Sequence, residues 1–220
     1  MSIQFNQVKK SFSISGQSHL VLNVPSFQVE GGEQIAIIGR SGSGKSTLLN
    51  LISGILVPDS GEININNTNI TTLSEPNRDS FRAKTIGFVF QTFNLLQGLT
   101  AEENIALAMS FSGHHKQLYQ KAEDLLKRVG LAEKKHHKPS ELSVGEQQRV
   151  ALARAICNNP HIILADEPTA NLDEKNSEIV MDLLLELSQA EKRILLVVTH
   201  EKEIAQKLPK QLLLSSLNQV

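Results

Sequence analysis

"EQIAIIGRSGSGKSTLLNLISG", residues 33–54, is the stretch whose reading decides the fold. It opens on a compact apolar run bounded by Gly31-Gly32 and Gly39, the length of a buried strand. From Lys45 it reads as a helix that ends at Gly54, with Pro58 just beyond. Between the two, Gly39, Arg40, Ser41, Gly42, Ser43, Gly44, Lys45, Ser46 and Thr47 fit the pattern G-x-x-x-x-G-K-[ST]. Glycines in such a loop let backbone N–H groups turn inward around phosphate oxygens, and the helix N-terminus adds partial positive charge. Lys45 is placed to reach the β and γ phosphates of a nucleotide, and the Ser46 hydroxyl to ligate Mg²⁺. From average composition the fixed positions recur by chance about once in 30,000 residues. The strand before and the helix after make coincidence rarer still.

Further along the chain, "IILAD" followed by Glu167 supplies partner chemistry. An apolar strand ending in Asp166 can point one carboxylate at a metal while Glu167 faces a nucleophilic water as general base. Carboxylates at that position also serve as plain helix caps, so the pair gains its meaning from the glycine loop. A second phosphate-shaped loop precedes it, "ELSVGEQQRVALARA" at residues 141–155. Ser143 offers a hydroxyl and an N–H, Gly145 an N–H with little bulk, and the following helix aims its positive end at an anion. The inferred strand order gives this loop no path back to its own nucleotide. A second copy of the chain is the natural recipient, and an isologous dimer would close two sites at once.

The composition bounds the possibilities. With 220 residues and 40% hydrophobic content, the chain can bury a substantial core as one domain. A formal charge of -1 provides no basic footprint, so no nucleic-acid partner is expected. A single cysteine, Cys157, excludes a disulfide framework and any multi-cysteine metal site. The N-terminus "MSIQFNQVKK" has no apolar leader, and no apolar run reaches the roughly 18 residues a membrane helix needs. The protein is expected neither to cross a membrane nor to be exported through one by itself.

Around the glycine loop, "SIQFNQV" and "HLVLNVPSFQV" read as short strands of an antiparallel layer, broken by "SISGQS" and by Pro25. "GEININNTNI" reads as a hairpin turning at Asn66-Asn67. After the strand "IGFVFQ", the segments "TAEENIALAM" and "LYQKAEDLLKRVG" show helical spacing, and Thr100 with Glu103 makes a capping box. From Ser143 the order is helix, strand "HIILAD", helix "KNSEIVMDLLLELSQA", strand "RILLVVTH" and a short helix "EKEIAQKL". Alternating elements imply a parallel sheet with helices on its faces. The expected division is an α/β core at about residues 1–98 and 150–220 with a helical subdomain inserted at about 99–149.

In order and spacing these residues resemble the nucleotide-binding subunits of ABC transporters, over essentially the whole chain. The matching motifs are the glycine loop, Gln91 in "FVFQ", the signature Leu142–Glu146, Asp166-Glu167, "ANLD" ending at Asp173, and His200 after "LLVVT". The resemblance implies a P-loop NTPase core with a parallel sheet, an antiparallel β layer and a helical subdomain. It also implies an ATPase that uses ATP and Mg²⁺ and dimerises around two nucleotides. Ser143, Gly145 and Glu146 would then contact the partner's nucleotide, and Asp173 would join the two subunits' sites. Gln91 would touch Mg²⁺ and the water and sense a membrane partner, and His200 would hold the γ-phosphate and Glu167 in register. Read without the family, Gln91 and His200 are a loop glutamine and a strand-end histidine. Phe12 occupies the place of an adenine-stacking aromatic that is often Tyr in the family, a contact worth about 1–3 kcal/mol. The implied partner is an integral membrane permease, at the cytoplasmic face of the cell membrane.

The chain departs from the family pattern in places. Val144 stands where Gly is common, so its backbone must keep a negative φ, and Glu146 stands where Gln is common. Past His200 the chain lacks the usual glycine turn before a last strand, and no regulatory domain is expected. His114-His115 and His136-His137 read as solvated loop residues in preference to metal ligands. "FVFQTFNLLQGLTAEENIALAM" and the short C-terminus are most similar to the lipoprotein-releasing and macrolide-export branch. An ABC-type ATPase that drives an envelope or cell-division machine would share every one of these residues. A small-molecule kinase with the same glycine loop would have no use for "LSVGEQQR".

Overall fold

The first three strands establish both sheets. In the computed structural model, which describes residues 1–14, 16–113, 116–189 and 191–220, β1 (Ser2–Ile14) and β2 (Gln17–Glu30) pair antiparallel. β3 (Gln34–Ile38) leaves them for a different sheet and is followed by α1 (Lys45–Ile52). The hairpin β4 (Ser60–Ile65) and β5 (Thr68–Asn69) turns with Asn66 at φ 57°, as its two asparagines predict. Because β4 pairs with β1, the N-terminal layer is an antiparallel sheet in the order β2-β1-β4-β5. Its first two strands are longer than expected, and Pro25 does not break β2. Pro25 sits on an edge strand between the paired residues Val24 and Ser26, across from Gln7 at φ 52°, where the missing N–H costs no ladder bond.

The chain continues through α2 (Glu75–Thr85), β6 (Ile86–Val89), α3 (Ala101–Ser110), α4 (Leu118–Arg128) and α5 (Val144–Ile156). It ends with β7 (Ile162–Asp166), α6 (Glu174–Gln189), β8 (Ile194–Thr199), α7 (Lys202–Gln206), β9 (Lys210–Leu213) and α8 (Leu214–Leu217). The second sheet is parallel throughout, in the order β6-β7-β8-β3-β9. α2, β9 and α8 were not anticipated. His114 and His115 lie outside the described residues, as does Ala190, the last residue of the helix read at 175–190.

Strand alternation gives the parallel sheet two buried faces. Ile35, Ile37, Leu164, Leu196 and Val198 pack with Leu48, Leu51 and Ile52 of α1 and with the antiparallel layer. Ala36, Ile163, Ala165 and Val197 pack on the other face against Val180, Leu184 and Leu187 of α6. A third cluster joins Ile105 and Met109 of α3, Ala122 and Leu126 of α4, and Val150, Ala151 and Ala153 of α5. α5 also sends Leu152, Ala155 and Ile156 into the sheet's core, so this one helix packs into both of these clusters. α3 starts at the expected capping box, with Glu103 N–H donating to Thr100 Oγ1 and Thr100 N–H to Glu103 Oε2.

Candidate functional site

All strands of the parallel sheet end at one edge, and that edge gathers the polar residues singled out from the sequence. The glycine loop follows β3, Gln91 follows β6, Asp166-Glu167 closes β7, and His200 follows β8. Such an edge, at the carboxyl ends of parallel strands, is where ligands of α/β sheets bind. A cavity of about 640 Å³ lies there, walled by Arg40, Ser41, Gly42, Gly44, Lys45, Ser46, Thr47, Gln91, Glu167 and His200, with Val21 of β2 beside them. Gly44 stands before α1 with φ 99°, a conformation that suits glycine, so the loop can turn straight into the helix. Ser43 Oγ is buried and has no hydrogen-bond partner among the described residues.

At the floor of the cavity Lys45 is almost fully buried. Its Nζ donates to the carbonyl oxygens of Gly39 at 2.8 Å and Arg40 at 3.1 Å, and it pairs with Glu167 Oε1 at 3.2 Å. Two carbonyl hydrogen bonds and one ion pair offset the cost of burying the charge. Glu167 is 8% exposed, and its other oxygen, Oε2, lies 3.0 Å from His200 Nδ1 and accepts the His200 backbone N–H at 3.3 Å. Lys45, Glu167 and His200 thus form one chain of contacts. Glu167 sits in a left-handed backbone, φ 45°, with its own N–H held by Val198 O.

Asp166 leaves Oδ1 buried and without a partner among the described residues. Burial pushes its carboxyl above the ordinary range, the Ser46 hydroxyl pulls it back, the Glu167 charge pushes it up again and Lys45 opposes that. A buried carboxylate oxygen without a partner, beside a hydroxyl and with Gln91 on the cavity wall, is the hard oxygen set that suits Mg²⁺.

The other predicted residues lie away from this cavity. Phe12 stands on β1 opposite His19, with Lys10 Nζ 5.7 Å from its ring centre. Ser143 caps α5, accepting the Glu146 N–H at 3.3 Å on Oγ and giving its own N–H to Glu146 Oε2 at 2.8 Å. That bond is the main reason the Glu146 carboxyl lies below its ordinary range. Val144 begins the helix and is exposed, with a negative φ as expected. Gly145 packs on α6 so closely that a Cβ would lie 2.3 Å from Asn176 Oδ1. Asn176 in turn gives its backbone N–H and its amide to the Asp173 carboxylate, which holds that acid below its usual range. The signature loop and the Asp173 loop therefore touch each other within one chain. Neither touches the glycine loop's cavity.

Three polar residues of this neighbourhood were missed. Gln148 is fully buried and donates from Nε2 to Pro168 O at 2.7 Å. Asn176 was unremarkable in sequence, and Asn171 donates to Gln91 O at 3.2 Å. Only Gln148 left a readable signal, a polar residue in the row Gly145, Gln148, Leu152, Ala155 that α5 turns inward. His136 does have an acidic neighbour, Glu102 at 2.8 Å across the fold, although no metal-binding cluster is found among the described residues.

Comparisons with known proteins point to one family. Residues 22–170 match the family described as ABC transporter. The lipoprotein-releasing system ATP-binding protein LolD of Saccharophagus degradans is 45% identical over 199 residues, covering 90% of this chain and 87% of its own. The ABC transporter ATP-binding protein YtrE of Bacillus subtilis is 46% identical over 186 residues, covering 84% and 80%. Among solved structures, the dimeric post-hydrolysis state of the ATP-binding cassette MJ0796, bound to ADP and Pi, superposes with a TM-score of 0.89. It is 39% identical and covers 96% of this chain and 93% of its own.

Proposed function

Because the chain belongs to the ABC transporter family and is an ATP-hydrolysing subunit of a transporter, we propose that two copies clasp two ATP molecules and drive a membrane permease. The observation that carries the two-copy reading is the separation of the two phosphate-shaped loops. Ser143 and Gly145 are not among the residues that wall the cavity built by Lys45, Glu167 and His200, so in this reading a nucleotide on the glycine loop meets a signature loop when another chain brings one. The dimeric cassette bound to ADP and Pi, at 39% identity, supports this arrangement.

In this reading the triphosphate lies along residues 39–47, with loop N–H groups and the α1 N-terminus on its oxygens. Lys45 turns from Glu167 Oε1 to the β and γ oxygens, which frees that carboxylate oxygen for the attacking water. His200 keeps its hold on Glu167 Oε2, so the base stays aimed while its lysine partner leaves. Asp166, Ser46 and Gln91 would hold Mg²⁺, which when bound neutralises charge that develops on the phosphate oxygens. Ser143 and Gly145 of the second copy close the open side, and Phe12 stacks on the base at the far end. Glu146, engaged in its own helix cap, steadies the Ser143 loop. Asp173 faces the other copy, and residues 99–149 act as the helical lobe that carries the signature.

No helix of the described residues is long and apolar enough to cross a membrane, so we assign the span to the permease, with this chain at its cytoplasmic face. A groove of about 690 Å³ between α2, α3 and α5, lined by Phe88, Phe90 and Phe111, suits that partner, and Phe111 is 70% exposed there. The likeness to LolD favours the lipoprotein-releasing branch. Light scattering of the purified chain tests the core of the proposal. Added ATP should double its mass, and a chain that hydrolyses ATP while remaining a monomer at every concentration overturns the two-copy reading.

A further inference from the structure

We propose that Gln148 is a positioning residue that ties the general base of one site to the phosphate cap serving the other. This rests on the two-copy reading above. Gln148 lies on α5, the helix that Ser143 caps, and is 0% exposed. Its Nε2 donates to Pro168 O at 2.7 Å, a bond closed off from solvent, while its Oε1 is buried without a partner among the described residues. A buried amide that satisfies only its donor is costly. Its place next to the Glu167 turn suits a positioning role beyond packing.

Pro168 directly follows Glu167, whose left-handed φ of 45° is not a conformation that a glutamate adopts readily. Something must hold that turn from both sides. Val198 O accepts the Glu167 N–H on the β8 side, and Gln148 grips the Pro168 carbonyl on the α5 side. Thr169 continues the anchoring with its hydroxyl on Glu201 Oε1 at 3.0 Å. Of these, only Gln148 comes from the signature helix. A helix moves as a rod, so a shift of α5 when Ser143 engages the partner's γ-phosphate pulls on Pro168 and re-aims Glu167 toward its own nucleotide. The contact of Gly145 with Asn176, and of Asn176 with Asp173, couples the same helix to the far end of the same loop.

Gln148→Met keeps the length and bulk of the side chain and removes the donor. Phosphate release is titrated against ATP with the full chain. Turnover should fall about 10- to 100-fold, the loss expected when a reacting group is misplaced by about an ångström. The ATP concentration at half-saturation should stay within about twofold, since no nucleotide contact is lost. The Hill coefficient, between 1 and 2 for the wild-type pair of sites, should drop to about 1. If Gln148→Met does not fold, Gln148→Leu is read by the same three quantities. Wild-type turnover and Hill coefficient in the variant overturn the proposal, as does a parallel loss of turnover and ATP affinity, which marks general loosening. A wild-type chain that doubles its mass with ATP yet shows a hyperbolic titration overturns the coupling alone. One that stays monomeric at saturating ATP overturns the two-copy reading and the coupling with it.

Discussion

Glu167 holds opposing demands in one side chain. It is buried against Lys45, bonded to His200, and placed in a backbone conformation that strains an ordinary residue. Glu167→Gln keeps the size and the His200 contact but cannot take a proton from water, so hydrolysis should fall by about 10²- to 10⁴-fold. ATP binding survives in that variant, and gel filtration with ATP should show a dimer that persists instead of decaying; a monomer peak at saturating ATP contradicts the clasp. Lys45→Ala acts on the other half of the pair. It removes charge-assisted contacts to phosphate worth about 1.5–3 kcal/mol, which weakens ATP binding roughly 10- to 150-fold. Equilibrium binding of a fluorescent ATP analogue measures this, and unchanged affinity removes Lys45 from the phosphate site.

At the scale of elements, what could be read from the sequence was what is local in the chain. The α3 start was legible because Thr100 and Glu103 carry both halves of the cap within one turn. Thr100→Ala should therefore lower stability by about 1 kcal/mol, read as a shift in the urea midpoint with unchanged slope. The buried strands β3, β7 and β8 announced themselves as apolar runs closed by turn residues or carboxylates. α2 did not, because only Thr85 of it is buried and it shows no apolar stripe; Ser74, Glu75 and Pro76 mark its start without a buried face to follow. β9 is a strand because β3 pairs with it, a fact that lies far away in the chain. The site divides in the same way. Lys45, Ser46, Asp166 and Glu167 were read from motif and strand context, whereas Gln148 and Asn176 act through tertiary contacts that no spacing encodes. Even Pro25 was misread for this reason, since its cost depends on whether β2 lies at an edge.

For the whole molecule the question is which chain's Ser143 caps which nucleotide. To swing an open pair from 1:99 to 99:1 in favour of closure, bound ATP must prefer the closed state by about 5.5 kcal/mol. Charge-assisted bonds from two signature loops, about 1.5–3 kcal/mol each, are of that size, but only if both loops reach a phosphate. A mixing experiment decides whether they do so across the interface. Lys45→Ala has a sound cap and a broken cradle, and Ser143→Glu has the reverse, so each alone should be nearly inactive. In an isologous pair of the two, the intact cap of the first meets the intact cradle of the second and one complete site is restored. Random pairing makes half the dimers mixed, each with one good site of two, so the mixture should recover no more than about a quarter of wild-type turnover. The coupling through Gln148 lowers that ceiling, because the restored site sits opposite a dead one. If Ser143 served its own chain's nucleotide, no molecule in the mixture would hold both parts, and phosphate release would stay at the level of the separate variants.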